Sequence, residues 1–336
     1  MDLITGGTGI VGAHLLLERA EQGLVRALFR KGSDRSIVEK IFQHYRADAD
    51  VLLQRIEWAE GDVIDTDALA EAMKGIQHVY HCAAIVSFDP RDTGAMDRVN
   101  VGGTANVVNA ALEAGVERLC HVSSTAAIGS APAGVLRDES LPWLGGKNIS
   151  AYAVSKYEAE MEVYRGIAEG LQAVIVNPCI VIGPGAPGRS SMTLMERLHR
   201  GTRFYPPGSN ALVDARDVAA CMVQVLKQAP SGERFLLVGE NIAYREAFEI
   251  FSKAFGKEPP SFALRAWMLH SAWRIERVRS WLSGSTPFVT KATAHSALVE
   301  RGYSAQKAEA LLGRRFRSVG EMAENMGAYF AGEKAY

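Results

Sequence analysis

The sequence predicts an α/β fold in which helices cover both faces of a doubly wound parallel sheet. Two observations carry this prediction: a strand runs into a glycine-rich turn at residues 2–12, and strand and helix patterns alternate from there to residue 178. Such alternation implies right-handed crossovers between parallel strands. The chain has 336 residues, of which 48% are hydrophobic, so it can bury a full core.

The first element is a short apolar strand that ends at a G-x-x-G-x-x-G turn of Gly6, Gly9 and Gly12. Gly6 allows a sharp turn, Gly9 allows backbone to approach a pyrophosphate, and Gly12 lets the helix at 10–20 pack closely. The helix N-terminus offers free N–H groups to an anion. A tight turn without a ligand is the alternative, but the strand before it and the helix after it favour nucleotide binding.

The remaining elements of the first 178 residues follow in strict alternation. The pattern predicts strands at 24–30, 55–62, 78–84, 118–124 and 173–177, and helices at 36–45, 65–73, 95–114 and 151–169. After Pro178, prolines and glycines interrupt the pattern, and only a helix at 214–228 and a strand at 234–239 return to the sheet. We therefore expect a Rossmann-type dinucleotide-binding domain of residues 1–178 with 214–239. Residues 179–213 with 240–336 form a smaller, mostly helical substrate lobe.

Composition excludes several classes of protein. The net charge of −1 provides no electrostatic footprint for nucleic acid. The cysteines are too far apart for a zinc site, so we expect no metal and buried free thiols; they are Cys82, Cys120, Cys179 and Cys221. No run of 18 apolar residues and no signal peptide is present, which predicts a cytoplasmic protein without an integral membrane segment.

The end of the second strand carries basic residues. Arg30 lies 18 residues beyond Gly12 and is followed by Lys31, with Arg35 nearby. An acidic residue at this position accepts the ribose 2′-hydroxyl of NAD, whereas arginine accommodates the 2′-phosphate of NADP. A solvated basic strand end is the alternative. The pattern favours NADP and leaves NAD possible.

A third feature is the sequence Tyr152-Ala-Val-Ser-Lys156, which places a phenol and an ammonium four residues apart on one helix face. A nearby cation favours the phenolate and lowers the tyrosine pKa toward the range of a proton donor or acceptor. A surface tyrosine over a lysine stem is the alternative. Upstream, the strand at 118–124 ends in Ser123 and Ser124, whose hydroxyls lie at the same edge of the sheet.

Eight motifs distributed over nearly the whole chain belong together. They lie at residues 5–12, 61–62, 81–84, 100–104, 122–124, 152–156, 177–178 and 181–185. In this combination the sequence resembles the extended short-chain dehydrogenase/reductase family, part of the NAD-dependent epimerase/dehydratase superfamily, nearest its dihydroflavonol reductase and 3β-hydroxysteroid dehydrogenase branch. Two departures from the sugar epimerases support that branch: Val174-Ile-Val-Asn177 replaces their Arg-Tyr-Phe-Asn run, and the second strand lacks an acidic end.

The resemblance implies a catalytic triad of Ser124, Tyr152 and Lys156, with Ser124 preferred over Ser123 because of its distance to Gly129. Tyr152 would exchange a proton with the substrate oxygen, Lys156 would lower its pKa and bind the nicotinamide ribose, and Ser124 would hold the oxygen. Asp62 and Val63 would lie at the adenine, Ala83 and Ala84 along the cofactor, and Asn177 and Pro178 near the nicotinamide. The complete expected cofactor set is Gly6, Thr8, Gly9, Ile10, Val11, Arg30, Lys31, Asp62, Val63, Ala83, Ala84, Asn100, Tyr152, Lys156, Asn177 and Pro178.

Three functions remain open at this point. The first is an NADP-dependent oxidoreductase that interconverts a ketone or aldehyde and an alcohol of an apolar small molecule. The second is a nucleotide-sugar epimerase or dehydratase that keeps its cofactor, and the third is a dinucleotide-sensing protein without catalysis. Intact Tyr152 and Lys156 argue against the third.

Two helical segments yield further expectations. In related enzymes, the helices at 95–114 and 151–169 form a dimer interface, so small and apolar residues such as Val107, Val108, Ala153 and Met161 predict a homodimer. The segment 262–282 carries an apolar stripe that includes Ile275, Val278 and Leu282, and helical spacing of this kind favours core packing. Its tryptophans fall off that stripe and favour a lid over a large apolar substrate, with contact to a membrane surface as the alternative.

Overall fold

The computed structural model describes residues 1–132, 134–146, 149–287 and 289–336. The strands are β1 Asp2–Thr5, β2 Val25–Phe29, β3 Ile56–Glu60, β4 His78–His81, β5 Arg118–Val122, β6 Ala173–Pro178, β7 Ile180–Ile182, β8 Phe204–Tyr205, β9 Ser209–Asp214, β10 Arg234–Leu237, β11 Glu240–Ala243 and β12 Phe262–Ala263.

The helices are α1 Ile10–Ala20, α2 Ser36–Tyr45, α3 Ala49–Leu53, α4 Thr66–Ala72, α5 Thr93–Met96, α6 Gly103–Glu113, α7 Ala151–Ala168, α8 Ser190–Arg200, α9 Ala215–Gln228, α10 Tyr244–Ala254, α11 Ala266–Ser283, α12 Lys291–Ser296, α13 Gln306–Leu312 and α14 Val319–Ala331. Short 3₁₀ turns lie at Pro90–Asp92 and Thr125–Ala127, and a π-helical turn lies at Asp97–Gly102.

Seven parallel strands form the central sheet in the order β10-β6-β5-β4-β1-β2-β3. The order reverses between β1 and β4, where Thr5 pairs with His81. In a doubly wound sheet, ligands bind beyond the carboxyl ends of the strands at this reversal. The predicted fold class is therefore confirmed, and the topology places a crevice above Thr5 and His81.

Successive side chains of a strand point alternately into two hydrophobic cores, one on each face of the sheet. In β6, Val174 and Val176 join the core on one face of the sheet, whereas Ala173 and Ile175 join the core on the other. All four side chains are fully buried. Strands covered on both faces become apolar throughout, because successive side chains point to opposite sides and meet helices on each.

Most predicted elements are present, but one predicted helix is interrupted and one short helix is additional. The helix predicted at 95–114 begins at Thr93 and is interrupted by the π-helical turn before α6 resumes at Gly103. The amide of Asn100 in this turn bonds the backbone of Ile85, and that contact accompanies the local change of helical pitch. Helix α3 is one turn long and was not predicted, since five residues carry too little periodicity.

Residues beyond Pro178 contribute helices and two small sheets as well as β10. A three-stranded sheet has the order β11-β9-β7, and β12 pairs with β8. A third core lies between α8, α10 and α14 and contains Met195, Phe251 and Met322. The short strands of these sheets were not predicted individually, because segments of two to six residues among prolines and glycines resemble loops.

The expectation that the apolar stripe at 262–282 is core is wrong. Ile275, Val278 and Leu282 are all exposed on α11, whereas the buried residues of this helix are Leu269 and Ser280. The helix contacts the rest of the protein along the opposite side. Spacing alone identifies an apolar helix face but does not tell what covers it.

The four cysteines are unpaired, and burial raises the pKa of the Cys82 and Cys179 thiols to about 12. In the described part of the chain, no helix is long and apolar enough to cross a bilayer. The same residues contain no group of three or more histidine, cysteine or acidic side chains placed to hold a metal ion.

Candidate functional site

The glycine turn is compressed against the neighbouring strand. Gly6 has a φ of +69°, and a Cβ there would lie 2.7 Å from the Ala83 backbone nitrogen. A Cβ on Gly12 would lie 2.2 Å from the Gly6 carbonyl oxygen. Both positions therefore require glycine, and Gly12 serves the close approach of α1 to the turn itself rather than to the sheet.

The N-terminus of α1 has no side-chain cap. Gly9 occupies the cap position, its amide donates to the Gly6 carbonyl at 2.9 Å, and the first turn contains no acidic residue. Thr8, Ile10 and Val11 are half-buried around the exposed Gly9. The first N–H groups of a helix lack intrahelical acceptors, so this end presents unsatisfied donors and the positive end of the dipole. These features fit the pyrophosphate of a dinucleotide.

The basic cluster lies at the end of β2. Arg30 and Lys31 are exposed, and no side-chain hydrogen bond or ion pair of either is found among the described residues. The Arg35 guanidinium lies 4.9 Å from the Phe29 ring centre and 5.3 Å from that of Trp58. Arg35 is thus held by aromatic rings, whereas Arg30 and Lys31 are available to an anion.

The ends of β3 and β4 line the crevice next to the glycine turn. Asp62 is half-buried, and its carboxylate accepts from the Ile64 amide at 3.3 Å. Val63 is buried against Gly103, where a Cβ would lie 2.6 Å from a Val63 methyl. The amide of Ala83 donates to the Thr5 hydroxyl at 3.2 Å, and Ala84 after it is exposed.

Asn100 is buried behind the crevice, and its amide is engaged by the protein. Its Oδ1 accepts from the Ile85 amide at 2.7 Å, and its Nδ2 donates to the Ile85 carbonyl at 2.9 Å and to the Ser155 hydroxyl at 3.0 Å. Asn100 thereby joins the segment after β4 to α7. Both donors of its amide are used within the chain.

Tyr152 and Ser124 come together at the end of β5. The hydroxyl of Ser124 accepts from the Ala126 amide at 3.1 Å, and it lies close enough to the Tyr152 phenol to influence its pKa. The ring of Phe88 packs edge-on against Tyr152, with 5.7 Å between ring centres. Burial raises the Tyr152 pKa, and the nearby Ser124 hydroxyl acts against that rise. The Ser123 hydroxyl is buried and has no hydrogen-bond partner among the described residues.

Lys156 lies on the same helix face as Tyr152, but its ammonium contacts the sheet. The side chain is buried and its Nζ donates to the Val122 carbonyl at 2.7 Å. Burial lowers the Lys156 pKa to about 8, and the Glu160 charge acts in the opposite direction. The expected lowering of the Tyr152 pKa by Lys156 is absent from this structure: burial dominates and raises it.

Glu160 was missed in the sequence and lies at the centre of the buried polar contacts below the site. Its side chain is fully buried, its Oε1 accepts from the Asn177 amide at 2.6 Å, and its Oε2 lies 3.5 Å from Arg234. Asn177 also donates to the Ser124 carbonyl at 3.0 Å. The available signal was spacing, since Glu160 follows Lys156 by four residues and shares its helix face.

Asn177 and Pro178 occupy the buried end of β6. The Asn177 Oδ1 is buried and has no hydrogen-bond partner among the described residues. An unpaired buried acceptor is costly, because it loses its bonds to water without gaining a protein donor. Pro178 pairs with Leu237 of β10 at the same edge of the sheet.

Two neutral histidines complete the floor of the crevice. His81 bonds the Thr5 hydroxyl at 2.7 Å and the Thr104 hydroxyl at 3.0 Å, and His121 lies beside it with 5.2 Å between ring centres. Burial lowers the His81 pKa to about 3 and the His121 pKa well below its ordinary value. Both rings are therefore uncharged near neutral pH.

Comparisons with known proteins agree with this geometry. The chain matches the sequence model of the NAD dependent epimerase/dehydratase family over residues 3–238. It is 35% identical over 318 residues to a Synechocystis sp. protein whose name marks it as a provisional dihydroflavonol 4-reductase, covering 92% of this chain and 88% of the relative. It is 31% identical over 270 residues to sterol demethylase protein B of Methylococcus capsulatus, covering 78% and 76%.

The crystal structure of gox2253 matches with a TM-score of 0.80 and 32% identity, covering 99% of this chain and 98% of that one. This structural match covers both the central sheet and the residues beyond Pro178. The family model matches most of the chain, and the glycine turn and the Tyr152 and Lys156 pair agree with that match. The protein therefore belongs to the NAD dependent epimerase/dehydratase family, as an NAD(P)-dependent oxidoreductase of the extended short-chain dehydrogenase/reductase type.

Proposed function

We propose that this protein is an NADPH-dependent reductase that interconverts a ketone or aldehyde and the corresponding alcohol of a bulky, apolar small molecule. The observation that carries the proposal is the proximity of the Ser124 hydroxyl to the Tyr152 phenol at the end of β5, with Lys156 on the same helix face. Two hydroxyl groups at one point can hold and protonate a single carbonyl oxygen. The relatives named for dihydroflavonol reduction and sterol demethylation support the substrate class.

Each residue of the triad has a separate part. Tyr152 donates its phenolic proton to the substrate oxygen, while Ser124 donates a hydrogen bond to that oxygen and stabilises its developing charge. A bound reduced nicotinamide supplies the hydride to the carbonyl carbon. Lys156 contributes a positive charge below Tyr152, fixed by the Val122 carbonyl and balanced by Glu160.

We assign the dinucleotide to the crevice between the glycine turn and the end of β6. Gly6, Gly9 and the α1 N-terminus would hold the pyrophosphate, and Asp62 and Val63 would border the adenine. Ala83 and Ala84 would line the cofactor, and the unpaired Asn177 Oδ1 would meet the carboxamide end. We propose that Asn100 positions this wall rather than touching the cofactor, because Ile85 and Ser155 take both its amide donors.

We also propose that residues 179–213 with 240–336 form the substrate lobe. Val86 and Phe88 are exposed apolar side chains on the segment that contacts Tyr152, which suits an apolar substrate. The sugar-nucleotide epimerase is the second candidate, favoured by the family match. Arg30 at the end of β2 and the apolar surroundings of Tyr152 favour the reductase.

The reductase is tested by replacing the phenol. Tyr152→Phe removes one oxygen from a half-buried ring, so folding and NADPH binding should persist while turnover falls by a factor of about 10² or more. The measurement is stoichiometric loss of NADPH absorbance with an apolar ketone panel, with NADPH affinity as the control. Conversion of a nucleotide sugar without net NADPH loss would instead identify an epimerase.

Cofactor preference is tested at the end of β2. NADP should bind about tenfold or more tightly than NAD, because a guanidinium makes charge-assisted bonds to a 2′-phosphate, and Arg30→Ala should remove most of the difference. Titration calorimetry with both cofactors measures it. Arg203→Ala, an exposed arginine beyond Pro178, is the matched control and should retain the preference. Equal affinity of the unaltered protein for both cofactors contradicts the assignment.

The charge balance below Tyr152 predicts a pH effect. Turnover should fall as pH rises past about 8, where Lys156 loses its proton. Glu160 raises the Lys156 pKa, so Glu160→Gln should move this fall to lower pH while its amide oxygen still accepts from Asn177. Glu158→Gln, an exposed residue on the same helix, should leave the profile unchanged. A profile that stays fixed in Glu160→Gln, or shifts upward, excludes this role.

We propose a cytoplasmic homodimer in which α6 and α7 pack against a second copy. Val107, Val108 and Ala153 are buried within their own chain, but Val154 and Met161 on α7 are exposed. The unpaired cysteines suit a reducing compartment. Light scattering at micromolar concentration should give twice the chain mass, and Met161→Glu should reduce it to one chain; a monomeric mass for the unaltered protein would refute the dimer.

A further inference from the structure

Helix α11 turns its large apolar side chains to solvent. Exposed fractions on this helix are 65% for Trp267, 67% for Ile275, 57% for Val278, 80% for Trp281 and 73% for Leu282. At 3.6 residues per turn these five positions fall within an arc of about 120°. They therefore form one continuous face, which we call the α11 face. The expectation that the tryptophans fall off the apolar stripe is wrong for Trp267 and Trp281 and holds for Trp273, which lies on another side of the helix.

The charged side chains in and beside the α11 face are all positive. Arg274 lies within the arc, and Arg277 and Arg279 lie along its two edges, all three exposed. The helix has a single acidic residue, Glu276, which lies on the opposite side and bonds Arg279 at 2.8 Å. Arg265 adds a fourth exposed guanidinium at the start of the helix. The α11 face is thus apolar, rimmed by cations and free of carboxylates.

Two further exposed aromatic rings lie shortly before the helix in the chain or pair with that segment. Phe204 of β8 and Phe262 of β12 are exposed and lie with 6.0 Å between ring centres. Phe262 precedes α11 by only four residues. Five large apolar side chains exposed together on one helix face indicate a site of interaction rather than scattered exposure.

We propose that the α11 face binds the surface of an anionic phospholipid bilayer. Tryptophan favours the headgroup level of a bilayer, leucine, isoleucine and valine bury beyond it, and arginine is drawn to anionic lipid. A second copy of this chain is disfavoured as the occupant, because a twofold contact through this face would bring the Arg274 and Arg277 side chains of both copies together. The helix lies on the membrane and does not cross it.

This inference goes beyond the reductase assignment and does not depend on it. Arg91 joins α11 to the catalytic side of the molecule, since its Nη2 bonds the Ser280 hydroxyl at 2.9 Å and the Ser285 carbonyl at 2.8 Å. Phe88, three residues earlier, contacts Tyr152. Bilayer docking through α11 therefore brings the membrane to the side of the crevice on which an apolar substrate would arrive.

The test uses the full-length protein and vesicles of phosphatidylcholine, with or without about one third phosphatidylglycerol. In a flotation assay at low salt, the protein should bind the anionic vesicles about tenfold or more tightly than the neutral ones. Trp267→Ser with Trp281→Ser should abolish binding to both, and Arg274→Glu with Arg277→Glu should abolish the preference for anionic lipid. Because these side chains are exposed, melting temperatures should stay unchanged.

Leu144→Ser, which alters an equally exposed leucine distant in sequence from the helix, is the matched control and should bind like the unaltered protein. Equal binding by the unaltered protein and both double variants would overturn the proposal, as would absence of binding to anionic vesicles. Conversion of a dimer to a monomer by the tryptophan double variant would also overturn it, because the face would then belong to a contact between copies.

Discussion

The close approach between the glycine turn and the end of β4 is the constraint on which the site depends. The space that a Gly6 side chain would need is filled by the backbone of Cys82 and Ala83, and Thr5 bonds both Ala83 and His81. These contacts fix the ends of β1 and β4 at the point where the strand order reverses. This junction determines where the crevice lies. It also sets the position of the uncapped end of α1 and of the residues after each strand that line the crevice.

The buried polar groups below Tyr152 form a second level of organisation. Lys156, Glu160, Asn177 and Arg234 connect β5, β6, β10 and α7 through charge and hydrogen bonds. Burial of one of these charges alone would be unfavourable, whereas opposite charges and amide donors compensate one another. Since Asn177 also donates to the Ser124 carbonyl, the buried contacts around Lys156 help to fix the position of Ser124 at the end of β5.

The sheet and the placement of Tyr152 and Lys156 on one helix face were predictable because their signals are local. Glycine spacing, strand runs and the separation of Tyr152 from Lys156 depend on a few neighbouring residues. Glu160, the bonding of Asn100 and the π-helical turn depend on contacts between distant segments, which spacing does not record. The exposure of Ile275 shows a different limit: periodicity locates an apolar face, while only the tertiary structure tells whether protein covers it.

The Arg91 tether has a consequence for how distant parts of the molecule respond to one another. The segment from Ile85 to Asp92 is anchored at its start by Asn100 and near its end by the bonds of Arg91 to Ser280 and Ser285, with Phe88 against Tyr152 between them. Two binding events that both bias the position of such a segment are thermodynamically linked, and their effects on affinity are reciprocal. If lipid bound at α11 and a ligand beside Tyr152 both favour the same position of this segment, each raises the affinity of the protein for the other by the same factor.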